Sequence, residues 1–172
     1  MNIILIRHGI TRGNLEKRYI GITDESICKR EFYRLKRRDY PLAEIVISSP
    51  MRRCIETAQI IYGGFDDIFD GLAECNFGEF ENKNYEELKD NPQYQDWLDS
   101  GGTLAFPGGE SMETFSDRCV CAFTQAVEKY KRNNTLAFIV HGGTVMAIAR
   151  SILGGNFYDY HLKNGEYMLL SL

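Results

Sequence analysis

Ile3-Ile4-Leu5-Ile6-Arg7-His8-Gly9 is the stretch on which the fold turns: an unbroken apolar run, then a cation, an imidazole and a glycine. Four such residues in a row read as a strand buried on both faces, as in a parallel sheet. The abrupt polar ending recurs twice. Residues 45–47 run into Ser48-Ser49-Pro50 with Arg52-Arg53 close behind, and residues 136–140 run into His141-Gly142-Gly143-Thr144. Each ending leads into a helical pattern. In open α/β sheets ligands bind beyond the carboxyl ends of the strands, where helix N-termini also point. If the three strands are parallel neighbours, two imidazoles and several guanidinium groups meet at one edge of the sheet.

The rest of the chain fits around these strands. Apolar strands alternate with amphipathic helices, which predicts an α/β protein, a three-layer α/β/α sandwich with a mostly parallel central sheet. Residues 167–170 read as a last strand at an edge. Ser111 is a plausible N-cap for a helix whose Met112, Phe115, Cys119, Phe123, Ala126, Val127 and Tyr130 recur at helical spacing, a core-facing stripe. A helix over about residues 144–153 stops at Gly154-Gly155. One after Pro50 turns Ile55, Ala58 and Ile61 inward, and another covers about residues 85–99. Residues 70–84 and 100–110 read as loops.

At 172 residues the chain is expected to form one domain, 1–172, with a real core. The formal net charge of −4 argues against a nucleic-acid binder, and no apolar stretch is long enough to span a bilayer. The start, Met1-Asn2-Ile3, carries no basic leader, so export is not expected. Five cysteines, an odd count without framework spacing, suit reduced thiols and a cytoplasmic location. The basic run Lys29-Arg30, Arg34, Lys36-Arg37-Arg38 reads as a solvated helix face behind Cys28, Phe32 and Leu35, with a patch that steers acidic ligands as the sharper reading. Cys28 and Arg34 share the Cys-x5-Arg spacing of cysteine phosphatases. The five residues between them contain no glycine and cannot wrap amides around a phosphate, so that reading is discarded.

Two histidines and several arginines suit an anionic, tetrahedral group, because guanidinium forks grip phosphate oxygens in pairs. Phosphoryl transfer chiefly requires positioning and charge stabilisation. A neutral imidazole is a competent nucleophile, and cations beside His8 disfavour its imidazolium form. A leaving alkoxide then needs a proton, which a carboxylic acid can supply.

These blocks resemble the histidine phosphatase superfamily, the phosphoglycerate mutase-like proteins. Leu5-Ile6-Arg7-His8-Gly9-Ile10-Thr11 with Asn14 matches the family's Leu-x-Arg-His-Gly-x-Thr-x-x-Asn motif. Ser48-Ser49-Pro50-Met51-Arg52-Arg53-Cys54-Ile55-Glu56-Thr57-Ala58 is similar to Ser-Ser-Asp-Leu-x-Arg-Ala-x-Gln-Thr-Ala, and the block Leu72 to Glu81 to Leu-x-Glu-x-x-Phe-Gly-x-Trp-Glu. Pro107-Gly108-Gly109-Glu110-Ser111 and Val140-His141-Gly142-Gly143 match two further blocks, all in the family's order. The resemblance implies that His8 is phosphorylated, that Arg7, Arg53, Asn14 and His141 hold the phosphoryl group, and that Glu74 is the acid and then the base. Gly142 allows a backbone amide to approach the phosphate, and Thr23 joins the substrate-binding set. No metal or organic cofactor is implied. The sequence departs from the pattern at Pro50, Glu56 and Asn82, and residues 26–41 are short and lack the familiar Leu-x-x-x-Gly turn.

Duller readings stand beside these. His8 and His141 could be hydrogen-bonded structural histidines, Arg52 the true ligand in place of Arg53, Glu110 the acid in place of Glu74, and Asn14 a turn residue. His161 reads as surface or packing. Tyr19, Gly21, Thr23, Phe80, Tyr85 and Trp97 are wall candidates, with packing the first reading for the aromatic ones.

The function expected is a phosphomonoesterase acting on a small-molecule phosphate ester, with neither nucleic acid nor membrane as partner and with a monomer or a homodimer both compatible. Within the family a mutase is the alternative, although mutases carry a longer insertion between the Glu74 and Glu110 blocks. The Phe77 to Glu81 and Lys83 to Leu88 stretches, the Trp97 helix and Pro-Gly-Gly-Glu-Ser resemble α-ribazole-5′-phosphate phosphatases of cobalamin biosynthesis. From other classes, His8, His141 and Glu74 could bind zinc, or the chain could be a non-catalytic phosphate-binding module.

Overall fold

Three parallel strands lie side by side, as their matching polar ends suggest. In the computed structural model, which describes residues 1–172, the elements run β1 (Asn2–Arg7), α1 (Arg12–Leu15), α2 (Glu31–Lys36), β2 (Ile45–Ser48), α3 (Arg52–Tyr62) and β3 (Asp67–Ile68). Two 3-10 turns follow, then α4 (Tyr85–Leu88), α5 (Pro92–Asp99), α6 (Met112–Lys129), β4 (Thr135–Val140), α7 (Gly142–Leu153), a 3-10 turn at Phe157–Tyr160 and β5 (Tyr167–Ser171). The sheet order is β3-β2-β4-β1-β5, parallel except for β5, which pairs antiparallel with β1 at one edge.

Strand alternation divides the core between two faces. Ile3 and Leu5 of β1 and Leu136, Phe138 and Val140 of β4 point to one side, where Phe123 and Ala126 of α6 and Val145, Ile148 and Ala149 of α7 cover them. Ile4, Ile6, Ala137 and Ile139 point to the other, against Cys54 and Ala58 of α3. This is the expected three-layer α/β/α sandwich. A third cluster of Phe80, Leu88, Tyr94, Phe106, Phe115, Met146 and Phe157 gathers the long connections near the carboxyl ends of the strands.

Four local readings are corrected. The helix expected over residues 85–99 is two helices, because Asn91 caps a new N-terminus with Pro92 at its first position. Residues 70–84 contain 3-10 turns at Asp70–Leu72 and Gly78–Phe80. In α3 the fully buried side is Arg53, Cys54, Thr57 and Ala58, while Ile55 and Ile61 are half-buried. In α2 Phe32 is 42% exposed, whereas Glu31, inside the basic run, is buried. Its carboxylate accepts from Arg34 and from the Ile10 N–H, beneath the loop that follows His8.

Candidate active site

β1, β2 and β4 end together, and their first post-strand residues form one wall. His8 is held at 4% exposure, and its Nδ1–H donates to the Gly9 carbonyl at 2.7 Å. A carbonyl can only accept, so this bond fixes the proton on Nδ1 and leaves Nε2 with a lone pair. Nε2 has no partner in the protein and is not sealed from solvent. Burial first, then the Arg53 guanidinium, push His8 well below the usual imidazole range; the Gly9 bond opposes them, and Arg7 adds a smaller push in the same direction as Arg53. The loop is held from α3, where the Gly9 N–H donates to Thr57 Oγ1 at 3.0 Å.

His141 lies 5.2 Å from His8 between ring centroids. It is fully buried, and burial, Arg53 and His8 lower its affinity for a second proton. Arg53 Nε–H donates to His141 Nδ1 at 3.1 Å, so Nε2–H donates to Ser49 Oγ at 2.7 Å. The rest of the Arg53 guanidinium bonds the backbone carbonyls of Thr23 and Gly21, both at 2.8 Å. Arg53 therefore belongs to the site, while Arg52 is exposed. Thr23 contributes its backbone carbonyl to Arg53 and its N–H to Glu81, and its hydroxyl makes no hydrogen bond in the protein.

Arg7 reaches the same place from the end of β1. Its Nη1 donates to the Leu162 carbonyl at 2.7 Å and contacts His161 Nε2 at 3.2 Å. Nε is buried without any partner, and Nη2 makes no hydrogen bond in the protein. A Cβ on Gly142 would sit 3.2 Å from the Arg7 guanidinium carbon, so the glycine leaves room for the cation against the start of α7. Glu74 completes the group. Its oxygens accept from the Cys75 N–H at 3.0 Å and the Gly143 N–H at 3.1 Å, yet burial dominates and raises its pKa. Glu110 lies elsewhere in chemical terms. It is ion-paired with Arg118 and accepts the Asn76 N–H, which together outweigh its burial and hold its pKa down. The alternative acid is a structural carboxylate.

Asn14 sits in the first turn of α1, and its Oδ1 takes bonds from the Thr11 N–H and from Asn164 Nδ2, which leaves its amide donors available. Asn164 Nδ2 also donates to the His8 carbonyl at 3.1 Å. No three His, Cys, Asp or Glu side chains form a metal-ligating group. With His141 engaged at both nitrogens and Glu74 at both oxygens, the donor set for the zinc reading is already occupied by protein bonds. Beside Arg7 and Glu74 opens a cavity of about 340 Å³.

A family model described as histidine phosphatase superfamily (branch 1) matches residues 3–172. The chain belongs to this superfamily. Among histidine phosphatase relatives it is 30% identical over 165 residues to a protein named probable phosphoglycerate mutase GpmB of Escherichia coli, spanning 90% of this chain and 75% of that one. A phosphoglycerate mutase from Thermus thermophilus superposes with a TM-score of 0.76 at 28% identity, over 99% of this chain and 92% of the other. An α-ribazole phosphatase from Shigella flexneri superposes with a TM-score of 0.88 over 100% and 91% of the two chains, a likeness of fold at 22% identity.

The histidine phosphatase motifs named the wall of the site but not its supports. Ser49, Thr57, His161 and Asn164 hold His141, Gly9, Arg7 and Asn14 respectively. Ser49 and Thr57 lie inside a motif block and could have been picked from it. His161 and Asn164 carry no local signal, since only the return of the chain into β5 brings them near residues 7 and 8. Of the wall candidates, Tyr19 and Trp97 line the cavity, Phe80 is core and Tyr85 is exposed.

Two measurements follow from this histidine phosphatase site. A Cβ at position 143 would lie 2.4 Å from Glu74 Oε1 and 3.0 Å from the Phe115 ring. Gly143→Ala should therefore fold but displace the carboxylate, lowering kcat about tenfold or more with a smaller change in KM, as read by steady-state kinetics. The second concerns stability. His8 and His141 are held below their ordinary value near 6.5, so the unfolded chain binds more protons and stability falls as the pH drops below 6.5. Between pH 7 and 5.5 the two histidines together account for a loss of up to about 2 kcal/mol before any opposing contribution. The raised Glu74 acts with the opposite sign, its contribution growing as the pH falls. Urea titrations across this window should show the decline, and it should be roughly halved in His8→Ala.

Proposed function

We propose that the chain is a cytoplasmic phosphomonoesterase that hydrolyses a small phosphorylated metabolite through a phosphohistidine on His8. The observation that carries this reading is the unpartnered Nε2 of a His8 whose proton sits on Nδ1, among the charges of Arg7 and Arg53, with the buried Glu74 carboxyl close to the same two arginines. The Nε2 lone pair attacks phosphorus, the N–P bond forms and the P–O bond to the alcohol breaks. The electron pair goes to the alkoxide oxygen, which takes a proton from Glu74. Glu74, now a carboxylate, accepts a proton from water as the water oxygen attacks phosphorus, and the N–P pair returns to Nε2. Arg7, Arg53 and the Asn14 amide neutralise and orient the equatorial oxygens. His141, bonded to Arg53 and Ser49 in the free chain, aligns Arg53 and completes the phosphoryl-holding set that its motif implies.

α-Ribazole-5′-phosphate is the substrate named by the sequence blocks. Phosphoglycerate mutase chemistry is the second reading, favoured by the names of relatives at 28–30% identity. Five cysteines free of disulfides support the cytoplasmic assignment, and no helix is long and apolar enough to cross a membrane. The test is a panel of phosphate metabolites that includes α-ribazole-5′-phosphate, 2-phosphoglycerate and 3-phosphoglycerate, run with and without chelator. Release of inorganic phosphate, unaffected by chelator, is expected. Interconversion of the phosphoglycerates without phosphate release would favour the mutase.

A further inference from the structure

The basic run around α2 lies apart from the catalytic cage, and its arginines crowd one face. Six of the ten residues from 29 to 38 are lysine or arginine, in a chain whose net charge is −4. Arg30, Arg34, Arg37 and Arg38 line, with Tyr33, a depression of about 430 Å³ that shares no residue with the cavity beside Arg7 and Glu74. Little on this face neutralises them. Glu31 is buried and engaged by Arg34 and the Ile10 N–H, and Glu166 accepts the Lys163 N–H. The guanidiniums of Arg30 and Arg37 make no ion pair or hydrogen bond in the protein, and Arg34 Nη1 has no partner. Arg38 rests 5.8 Å from the centre of the Tyr167 ring. Like charges three and four residues apart destabilise a helix, and α2 has only six residues. A face meant only for water would intersperse carboxylates with its cations.

We propose that this depression binds a chain of linked phosphate groups and that its occupancy acts on the nucleophile loop. Guanidinium forks grip phosphate oxygens in pairs, and the bound anion relieves the repulsion among them. Arg30 and Arg37, both helical in backbone, lie about 10 Å apart along the helix axis. One orthophosphate does not serve every fork at that spread, whereas a triphosphate does. The Tyr33 ring, 68% exposed at the rim, adds a flat face for a nucleoside carried on the same phosphates. Arg34 carries the link to the active site. It donates to the Asn164 carbonyl at 2.7 Å as well as to Glu31, and Glu31 accepts the Ile10 N–H at 3.0 Å. Asn164 Nδ2 in turn holds the His8 carbonyl and Asn14. A phosphate that draws Arg34 outward slackens both supports of the loop that bears His8.

Isothermal titration calorimetry with inorganic triphosphate and with ATP tests the site, and turnover of p-nitrophenyl phosphate tests the link. Arg30→Ala combined with Arg37→Ala should fold, since both side chains are exposed and unpaired, and should bind triphosphate about tenfold or more weakly than the wild type. Saturating triphosphate should lower the wild-type kcat about fivefold at saturating substrate, where competition for the phosphoryl cage is abolished, and leave that of the double variant unchanged. Hydrogen exchange at the Ile10 amide, faster with triphosphate bound, reads the link independently of turnover. Weaker ATP binding in Tyr33→Ala, with triphosphate binding unaltered, identifies a nucleotide as the source of the phosphates. Equal affinity for ATP and triphosphate in both chains identifies the phosphate chain alone. Equal triphosphate affinity in the wild type and the double variant places the anion in the phosphoryl cage and overturns the proposal. So does an Ile10 amide and a kcat that triphosphate leaves unchanged, or tighter binding of single-stranded RNA than of triphosphate.

Discussion

His8→Ala is expected to fold and to lose hydrolysis of an aryl phosphate by about 10⁴-fold or more. The size follows from the role: without Nε2 there is no covalent intermediate, and only the cationic surroundings remain to help water attack directly. The surroundings should survive, because Arg53 and His141 are fixed by Ser49 and by backbone carbonyls rather than by His8. The lost Nδ1 bond to the Gly9 carbonyl should lower stability by about 1 kcal/mol. Circular dichroism and a thermal melt separate the two effects. A folded variant that keeps its turnover would remove the nucleophile from the account.

Glu74→Gln should show the second-largest loss, about 10²- to 10⁴-fold in kcat for an alkyl phosphate. Glutamine keeps the shape and offers one oxygen, enough for the Gly143 or the Cys75 N–H but not for both, and it has no transferable proton. With p-nitrophenyl phosphate the two half-reactions should come apart. Nitrophenolate leaves without needing a proton, so phosphorylation of His8 stays fast, while water attack lacks its base. Stopped-flow absorbance should record a burst approaching one nitrophenolate per chain, followed by slow turnover. Equal losses for alkyl and aryl esters with no burst would take the acid/base role away from Glu74.

The three central strands are legible because parallel strands buried on both faces need unbroken apolar runs, and 3–6, 45–47 and 136–140 have little else. β3, two residues long, is too short to carry a pattern. The inward side of α3 departs from its apolar spacing for a functional reason. Arg53 and Thr57 face inward to serve His141 and Gly9, so the polar residues of that helix are not its solvent side. The break between α4 and α5 is written in Asn91-Pro92, a cap followed by the first helical position, but the apolar spacing that continues across it masks the signal. Motif blocks locate His8, Arg53, Glu74 and His141, which the fold brings to one end of the sheet. The aromatic cavity is largely hidden in the sequence, since Phe77, Phe106, Met146 and Phe157 become neighbours only when four distant segments pack together.

The stereochemical course at phosphorus tests the central claim most directly. A phosphomonoester made chiral with three oxygen isotopes is incubated with the wild-type chain and an acceptor alcohol, and the configuration of the phosphoryl group is determined in the ester formed by transfer to that alcohol. Two in-line displacements, one by His8 and one by the acceptor, each invert phosphorus and together give retention. Inversion would mean that the acceptor attacks the ester in a single step and that His8 never carries the phosphoryl group.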